Sequence, residues 1–590
     1  MSFRPRFVLS FALSILALQT LTTAQTPPPA QEWVPPDAVI SLHLSQPKAL
    51  LELLAGADMT KAITALPLFQ EQTSKPQFQE FLNLVRFLET ALDTDWRTGL
   101  AKLTGAGVTL AVCPGDTVVV IIDGEDQRLL ERLHEIFLNI ARSEADQQGH
   151  PELVASREYA GVTVWTFDGK EAHAIIGKRL IFASRREGLQ AALDLRDRGR
   201  SDSLAASPAF RAAARAAGTN AAGTAFVNLK GLIDLPAVSQ LLDQQRKNPL
   251  AALAFAGIVE SVRSSNWLAL GLRVEDNAPA VRALTDGKPA GATSPAAFAL
   301  PQDAGVGAWP NLVVPRRLAA LSLYRDLHSF YAAKDDLFPE RTSGLIFFEN
   351  MMGIFFSGRD LTSEVLAETQ PEIRIVVAEQ QFDPAIGTPQ TKLPAFAVVL
   401  RLRHPDQFRE VMEEAWQKAV GLINFTRGQQ ALPGLIIDRP IHAGTKFTIG
   451  YFSTADVQDR TKLDQRFNLR PALAMPGEYL ILSSTDALAR DLIETLGREG
   501  AQAGTPLAQT HSLVEVEGAH VASALGENRD ALVRSDMVKK GRTREEAEAG
   551  IDMLLTAVRL LDQVSLNIGT HDGLTEAKLR IKLNLSSPLQ

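Results

Sequence analysis

One cysteine in 590 residues is the first scarcity that matters. Cys113 has no second thiol to pair with, so no internal disulfide staples this chain. It closes the apolar, strand-like run VTLAVC, which points to a buried, unreactive thiol rather than a nucleophile. Basic charge is the second scarcity. Lys and Arg number 60 against 68 Asp and Glu, a formal net charge of −8. A net-acidic chain without a basic stripe is a poor match for nucleic acid. Long apolar runs are the third. Beyond the first residues none reaches the about 20 residues that a membrane span needs. GLIFFENMMGIFF (344–356) and AALAFAGIV (251–259) come closest, and core helices or strands account for both.

Catalytic signatures are also missing. The sequence has no HExxH or HxxEH for zinc, no GxxxxGK[ST] for phosphate and no GxSxG elbow. GVGAWP (305–310) carries only the first two glycines of a GxGxxG fingerprint. One SxxK pair, Ser45 with Lys48, has the spacing of penicillin-recognising enzymes but no SDN-like or KTG-like companion. Pro47 reads instead as the first residue of a helix, PKALLELL, with Ser45 as its cap. The ten histidines are dispersed. His511 and His520 fall near Glu515 and Glu517, but the two glutamates flank Val516 on a strand and read as a solvated face. DGED (123–126) and DLRDRGRSD (194–202) read as charged turns without calcium-loop spacing. No catalytic residue, metal ligand or cofactor site is assigned, and the reading leans away from an enzyme.

What is present begins at the N-terminus. Arg4 and Arg6 precede an apolar run, Phe7 to Leu18, and Thr22-Thr23-Ala24 supplies small residues before Gln25. That is the layout of a secretory signal peptide over residues 1–24, too short for an uncleaved anchor. No cysteine stands at the cleavage point for lipid attachment. Cleavage would remove two arginines and no acid, leaving 58 basic and 68 acidic residues, net −10. The proline-rich leader that follows, residues 25–33, should be extended and poorly ordered. The expected location is the periplasm or cell exterior, without a lipid anchor or a membrane span in the mature chain. Hydrophobic content of 45% and charged content of 22% suit a folded chain, and its length suits about three or four domains of ~150 residues or two large ones.

The chain then repeats itself in ordered blocks. VPPDA (34–38) is answered by LPQDA (300–304), and DWRTGLAKLTGAGVTLAV (95–112) by DLTSEVLAETQPEIRIVV (360–377). VVVIIDGEDQRLLERL (118–133) is answered by FAVVLRLRHPDQFREVM (396–412), and YAGVTVWTF (159–167) by HAGTKFTIGYF (442–452). GKRLIFAS (177–184) returns as GEYLILSS (477–484), and AFVNLKG (225–231) as LVEVEG (513–518). The offset grows from 266 to 300, which places insertions in the second copy at QFDPAIGTPQTKLP (381–394) and STADVQDRTKLDQR (453–466). Closing strands are expected at WLALGLRV (267–274) and LTEAKLRIKLNL (574–585), with the boundary in DNAPAVRALTDGKPAGATSP (276–295).

Short β-branched runs alternate with helical stretches such as LERLHEIFLNIARSEA (130–145) and FREVMEEAWQKAVGLI (408–423). Asp126 and Asp406 stand near helix starts, and the helix after GEYLILSS should bury Leu488, Leu492 and Leu496. The fold expected is α+β, with two related lobes over 34–285 and 296–590. Each lobe is a mainly antiparallel sheet faced by amphipathic helices.

The motifs VPPDA, DWRTGLAKLTG, GKRLIFAS and SLAASPAF (203–210) resemble those of an uncharacterised family of exported bacterial proteins, known as a domain of unknown function. The second copy lacks intact DW and SPAF elements. The resemblance implies an envelope location and an α+β fold, and brings no catalytic residues. One dense apolar cluster is singled out: Phe347, Phe348, Met351, Met352, Phe355 and Phe356. Packing against the sheet is one reading, since such a helix is hydrophobic nearly all round. A ligand or partner surface is the other. The functional expectation is a non-enzymatic binding or scaffolding protein of the cell envelope, whose partner is an envelope protein or an apolar ligand. The alternatives are a carrier of an apolar small ligand and a hydrolase with an unrecognised site.

Overall fold

The computed structural model describes residues 28–584 except 57–59, 62–63, 65–68, 70–72, 74–75, 168, 219, 234–237, 241, 243–247, 276–277, 288–296, 302, 304, 339–341, 456 and 502–503. The expected signal peptide (1–24), residues 25–27 and most of the Gly/Pro-rich end of the expected boundary lie outside the described residues. Two compact units emerge. One takes the chain up to Val238 and Ser265–Asp286; the other takes Ser239–Ser264 and everything from Gly287.

The first unit holds β1 (Ile40–Leu44), β2 (Gly107–Cys113), β3 (Thr117–Asp123), β4 (Ala155–Tyr159), β5 (Val162–Thr166), β6 (Ala172–Ile176), β7 (Arg179–Ala183), β8 (Gly223–Asn228), β9 (Trp267–Glu275) and β10 (Ala278–Thr285). They pair in the order β4-β5-β6-β7-β3-β2-β1-β8-β9-β10, antiparallel throughout. Its longer helices among the described residues are α1 (Pro47–Ala55), α2 (Pro76–Leu92), α3 (Trp96–Thr104), α4 (Gln127–Gln147), α5 (Arg186–Arg198) and α6 (Pro208–Ala217). Caps start two of them, Asp126 as the sequence suggests and Asp95 besides. The Asp95 side chain accepts from the backbone N–H of Arg97 and Thr98, and Asp126 accepts from that of Leu129. The three- and four-residue spacing of α4 then buries Leu130, Leu133 and Phe137 against Leu180 of β7.

The second unit holds α7 (Pro249–Ser264), β11 (Arg317–Tyr324), α8 (Thr342–Phe355), β12 (Thr369–Ala378), β13 (Ala395–Leu402), α9 (Pro405–Gln429), β14 (Leu435–Asp438) and a small hairpin, β15 (Ile441–His442) with β16 (Thr445–Lys446). It continues with β17 (Thr448–Phe452), β18 (Ala472–Ala474), β19 (Tyr479–Ser483), α10 (Asp486–Ala501), β20 (Thr510–Glu517), α11 (Gly518–Glu527), α12 (Arg529–Lys540), α13 (Arg544–Arg559), β21 (Leu561–His571) and β22 (Leu574–Leu583). The sheet order is β14-β17-β18-β19-β13-β12-β11-β20-β21-β22, again antiparallel throughout. Element for element this is the order of the first unit. The fold is α+β.

Local chemistry repeats with the topology. Ala160-Gly161 turns β4 into β5, and Ala443-Gly444 turns β15 into β16, all four residues at positive φ. Such a turn needs positive φ at both central residues, which glycine adopts without a steric cost. Both faces of the second sheet are covered near β13 and β19. Val399 and Ile481 meet Leu488, Leu492 and Leu496 of α10, while Leu400 and Leu480 turn the other way toward Phe408 and Met412 of α9. Leu492 is fully buried, worth about 1.5–3 kcal/mol by apolar burial. The two expected insertions are loops, and they pair with each other: the Leu463 N–H donates to the Thr388 carbonyl (3.0 Å) and the Gln390 N–H to the Leu463 carbonyl (2.9 Å). A Cβ at Gly387 would collide there with the Arg460 carbonyl.

Three expectations need correction. The leader is not wholly extended: Ala30–Trp33 forms a 3-10 turn, and Trp33 is buried beneath the Arg179 guanidinium, 4.6 Å from its ring centre. The closing strand of the first unit is β10, not WLALGLRV, which is β9 and holds the place of β21. APAVRALT carries small and branched residues that pair with β9 along their whole length, and Pro279 near the strand start costs little of the ladder. Gly and Pro concentrate only from Gly287 onward. Finally, the cap of α1 is Gln46. Ser45 Oγ donates instead to the Ala221 carbonyl (2.6 Å).

Candidate interaction surface

Helix α8 (Thr342–Phe355) carries the apolar cluster singled out in the sequence. It stops where Ser357 and Gly358 take positive φ. Ser357 Oγ donates to Glu414 of α9 (2.5 Å) and accepts from Lys418 Nζ (2.6 Å), which pins this end. Lys334 pairs with Glu349 (3.3 Å) in the helix body. The six residues divide. Met352 and Phe356, with Leu345, pack on the core of Tyr331, Leu361, Phe408 and Met412. Met351 and Phe355 are half-buried. Phe347 is 70% exposed and Phe348 39% exposed, so the composition does not bury the helix all round. Ile346 (52%) and Ile354 (69%), outside the cluster, are exposed with them. Phe347, Met351 and Ile354 stand at i, i+4 and i+7, one outward stripe.

The polar candidates do not converge. Ser45 and Lys48 part, and Lys48 Nζ pairs with Glu125 (2.8 Å). Glu515 and Glu517 both pair with Arg317, at 3.0 and 2.6 Å, while His511 is buried elsewhere and His520 faces Glu379 (3.8 Å). Among the described residues no group of three or more His, Cys, Asp or Glu could hold a metal ion. Cys113 is buried, and desolvation, with the Asp37 charge behind it, pushes its thiol up to about 11. DGED is not wholly a charged turn, since Asp123 ends β3. Asp123 holds the buried Arg179 through two bonds, 2.6 and 3.0 Å.

Two clusters escaped sequence reading. His134 and His173 are wholly buried with Nε2 atoms 3.4 Å apart, beside Trp165 and Phe167. Desolvation lowers the pKa of both, that of His173 to about 3, so both rings are neutral. The other cluster is charged. Glu372 and Arg374 of β12 point to one face with Arg401 of β13, Glu478, and Glu499 of α10. Trp309 and Tyr479 stack on the two guanidiniums at 5.0–6.0 Å. Arg374 Nη2 comes within 2.8 Å of Glu372 Oε1 without making a hydrogen bond, so the Glu372 carboxyl is buried with neither oxygen hydrogen-bonded. The only cue in sequence was Glu372 and Arg374 at i and i+2 of a strand.

The comparisons add a similarity over the first half of the chain. Residues 7–290 match the model of a family described as protein of unknown function (DUF3352). The DUF3352 match covers VPPDA, DWRTGLAKLTG, GKRLIFAS and SLAASPAF, and the chain there is similar to an uncharacterised domain, as those motifs suggested. Residues after 290 lie outside the match. No curated protein matches the chain. Crystal forms III and I of TP0453 share 11% and 13% identity with it, cover 46% of it and 86% and 84% of their own chains, and superpose with TM-scores of 0.25 and 0.22. Likeness at that level carries no argument about function. Among the described residues no helix is long and apolar enough to cross a membrane.

Proposed function

We propose that this chain is an exported, non-enzymatic envelope protein, two copies of one α+β unit, which binds a protein partner through the outward stripe of α8. The stripe Phe347–Met351–Ile354 carries the reading. Its residues are apolar, and both ends of it are exposed. An amphipathic helix that offers i, i+4 and i+7 anchors suits a grooved protein surface. A small apolar ligand needs a concave site instead, and the outer face of a helix is convex. The identical strand order of the two units and the repeated Ala-Gly turn support duplication. The leader around Arg4, Arg6 and Ala24 supports export.

The test is photo-cross-linking in the protein's own cells, with a light-activated residue placed at Phe347 or Ile354 of the full chain and at inward Leu345 as control. A discrete protein-sized adduct from both outward positions, absent from Leu345, is expected. A small-mass adduct alone would favour the carrier instead. No adduct at either outward position would refute the reading.

A further inference from the structure

Arg325, directly after β11, is completely buried in the second unit. No carboxylate among the described residues comes within ion-pairing distance of it. Its charge is met by oxygen dipoles. Nε donates to the Leu253 carbonyl (2.6 Å), and Nη2 to the Ala254 carbonyl (2.7 Å) and to Ser512 Oγ (2.9 Å). Nη1 donates to the carbonyls of Tyr324 (2.6 Å), His511 (2.8 Å) and, at longer range, Ala299 (3.4 Å). Ser512 Oγ also shares a hydrogen bond with His511 Nδ1 (3.0 Å).

Leu253 and Ala254 belong to α7 (Pro249–Ser264). In the chain this helix lies between β8 and β9, both strands of the first unit, yet its contacts place it in the second. Small residues let it come close. A Cβ on Gly257 would stand 3.1 Å from Leu300 Cδ2 and 3.6 Å from Ala299 Cβ. With α7 docked, each arm of the guanidinium finds oxygen. With α7 withdrawn, Nε and one Nη2 hydrogen would be left buried without an acceptor, and an unpaired buried charge is costly.

We infer that Arg325 is a latch, which holds α7, a strap supplied by the first half of the sequence, onto the second unit. The strap is released as one piece when the fork is lost. Its test is hydrogen–deuterium exchange on the full chain, comparing wild type, Arg325→Met and Gly257→Leu. Met removes the fork. Leu at 257 blocks the close approach while the fork stays. Exchange across residues 249–264 should rise at least ten-fold in both variants, with β12 and β13 as protected as in wild type. If Arg325→Met yields no folded protein, Gly257→Leu decides alone. Unchanged protection of α7 would overturn the latch. So would loss of protection in α7 only together with β12 and β13, since Arg325 would then be ordinary core.

Discussion

Glu372 makes the second unit less stable as pH rises, and the size of the effect follows from its surroundings. The side chain is buried in a cluster of three carboxylates, Glu372, Glu478 and Glu499, against two guanidiniums, Arg374 and Arg401. Desolvation raises its pKa to about 7 from 4.5. The two arginines oppose the rise, and Glu499 and Glu478 add to it. Between pH 4.5 and about 7 the folded state therefore holds a proton that the unfolded chain has released. Stability falls as pH rises through that window. The distance from 4.5 to about 7, at 1.36 kcal/mol per pH unit, gives a full penalty of about 3 kcal/mol above pH 7. Glu372→Gln mimics the protonated side chain. It should match wild type near pH 4.5 and exceed it by about 3 kcal/mol at pH 8. Buried His134, His173 and His511 act in the opposite sense. Their lowered pKa values contribute stability above about pH 6.5 that is lost as pH falls. They are present in both proteins and cancel in the difference. Urea unfolding followed by circular dichroism at pH 5, 6, 7 and 8 measures it. A gap between the two proteins that stays constant with pH would refute the reasoning.

Two further expectations concern the first unit and the leader. Asp123→Ala leaves Arg179 buried without its carboxylate. It should cost about 3–5 kcal/mol, read as a lower urea midpoint; a loss under 1 kcal/mol would show that the Pro28 carbonyl and the Trp33 ring suffice. Protein taken from its own cells should begin at Gln25, by N-terminal sequencing or intact mass. A chain that still starts at Met1 would argue against cleavage.

Much of the local structure was legible because its causes are local. Asp126 caps a helix because a carboxylate one residue before a helix meets free N–H groups. The spacing of Leu488, Leu492 and Leu496 gave the buried face of α10. Antiparallel sheets with helices on them followed from short strands in pairs. Other features depend on what distant segments bring. Glu372 and Arg374 look like a solvated strand face until Trp309, Tyr479 and α10 cover them. Asp123 looks like a turn acid until Arg179 arrives from 56 residues away. The stripe on α8 reads as core by composition, and only the placement of α9 and the sheet beneath it shows which side is left outward. AALAFAGIV reads as a core helix or strand, but no local pattern says whose core. That choice rests on Arg325 and Leu300, residues beyond the expected boundary. Periodicity determines that a face will be buried. Which surface buries it, and which face stays open, depends on contacts between segments far apart in the chain, and only the tertiary structure decides those.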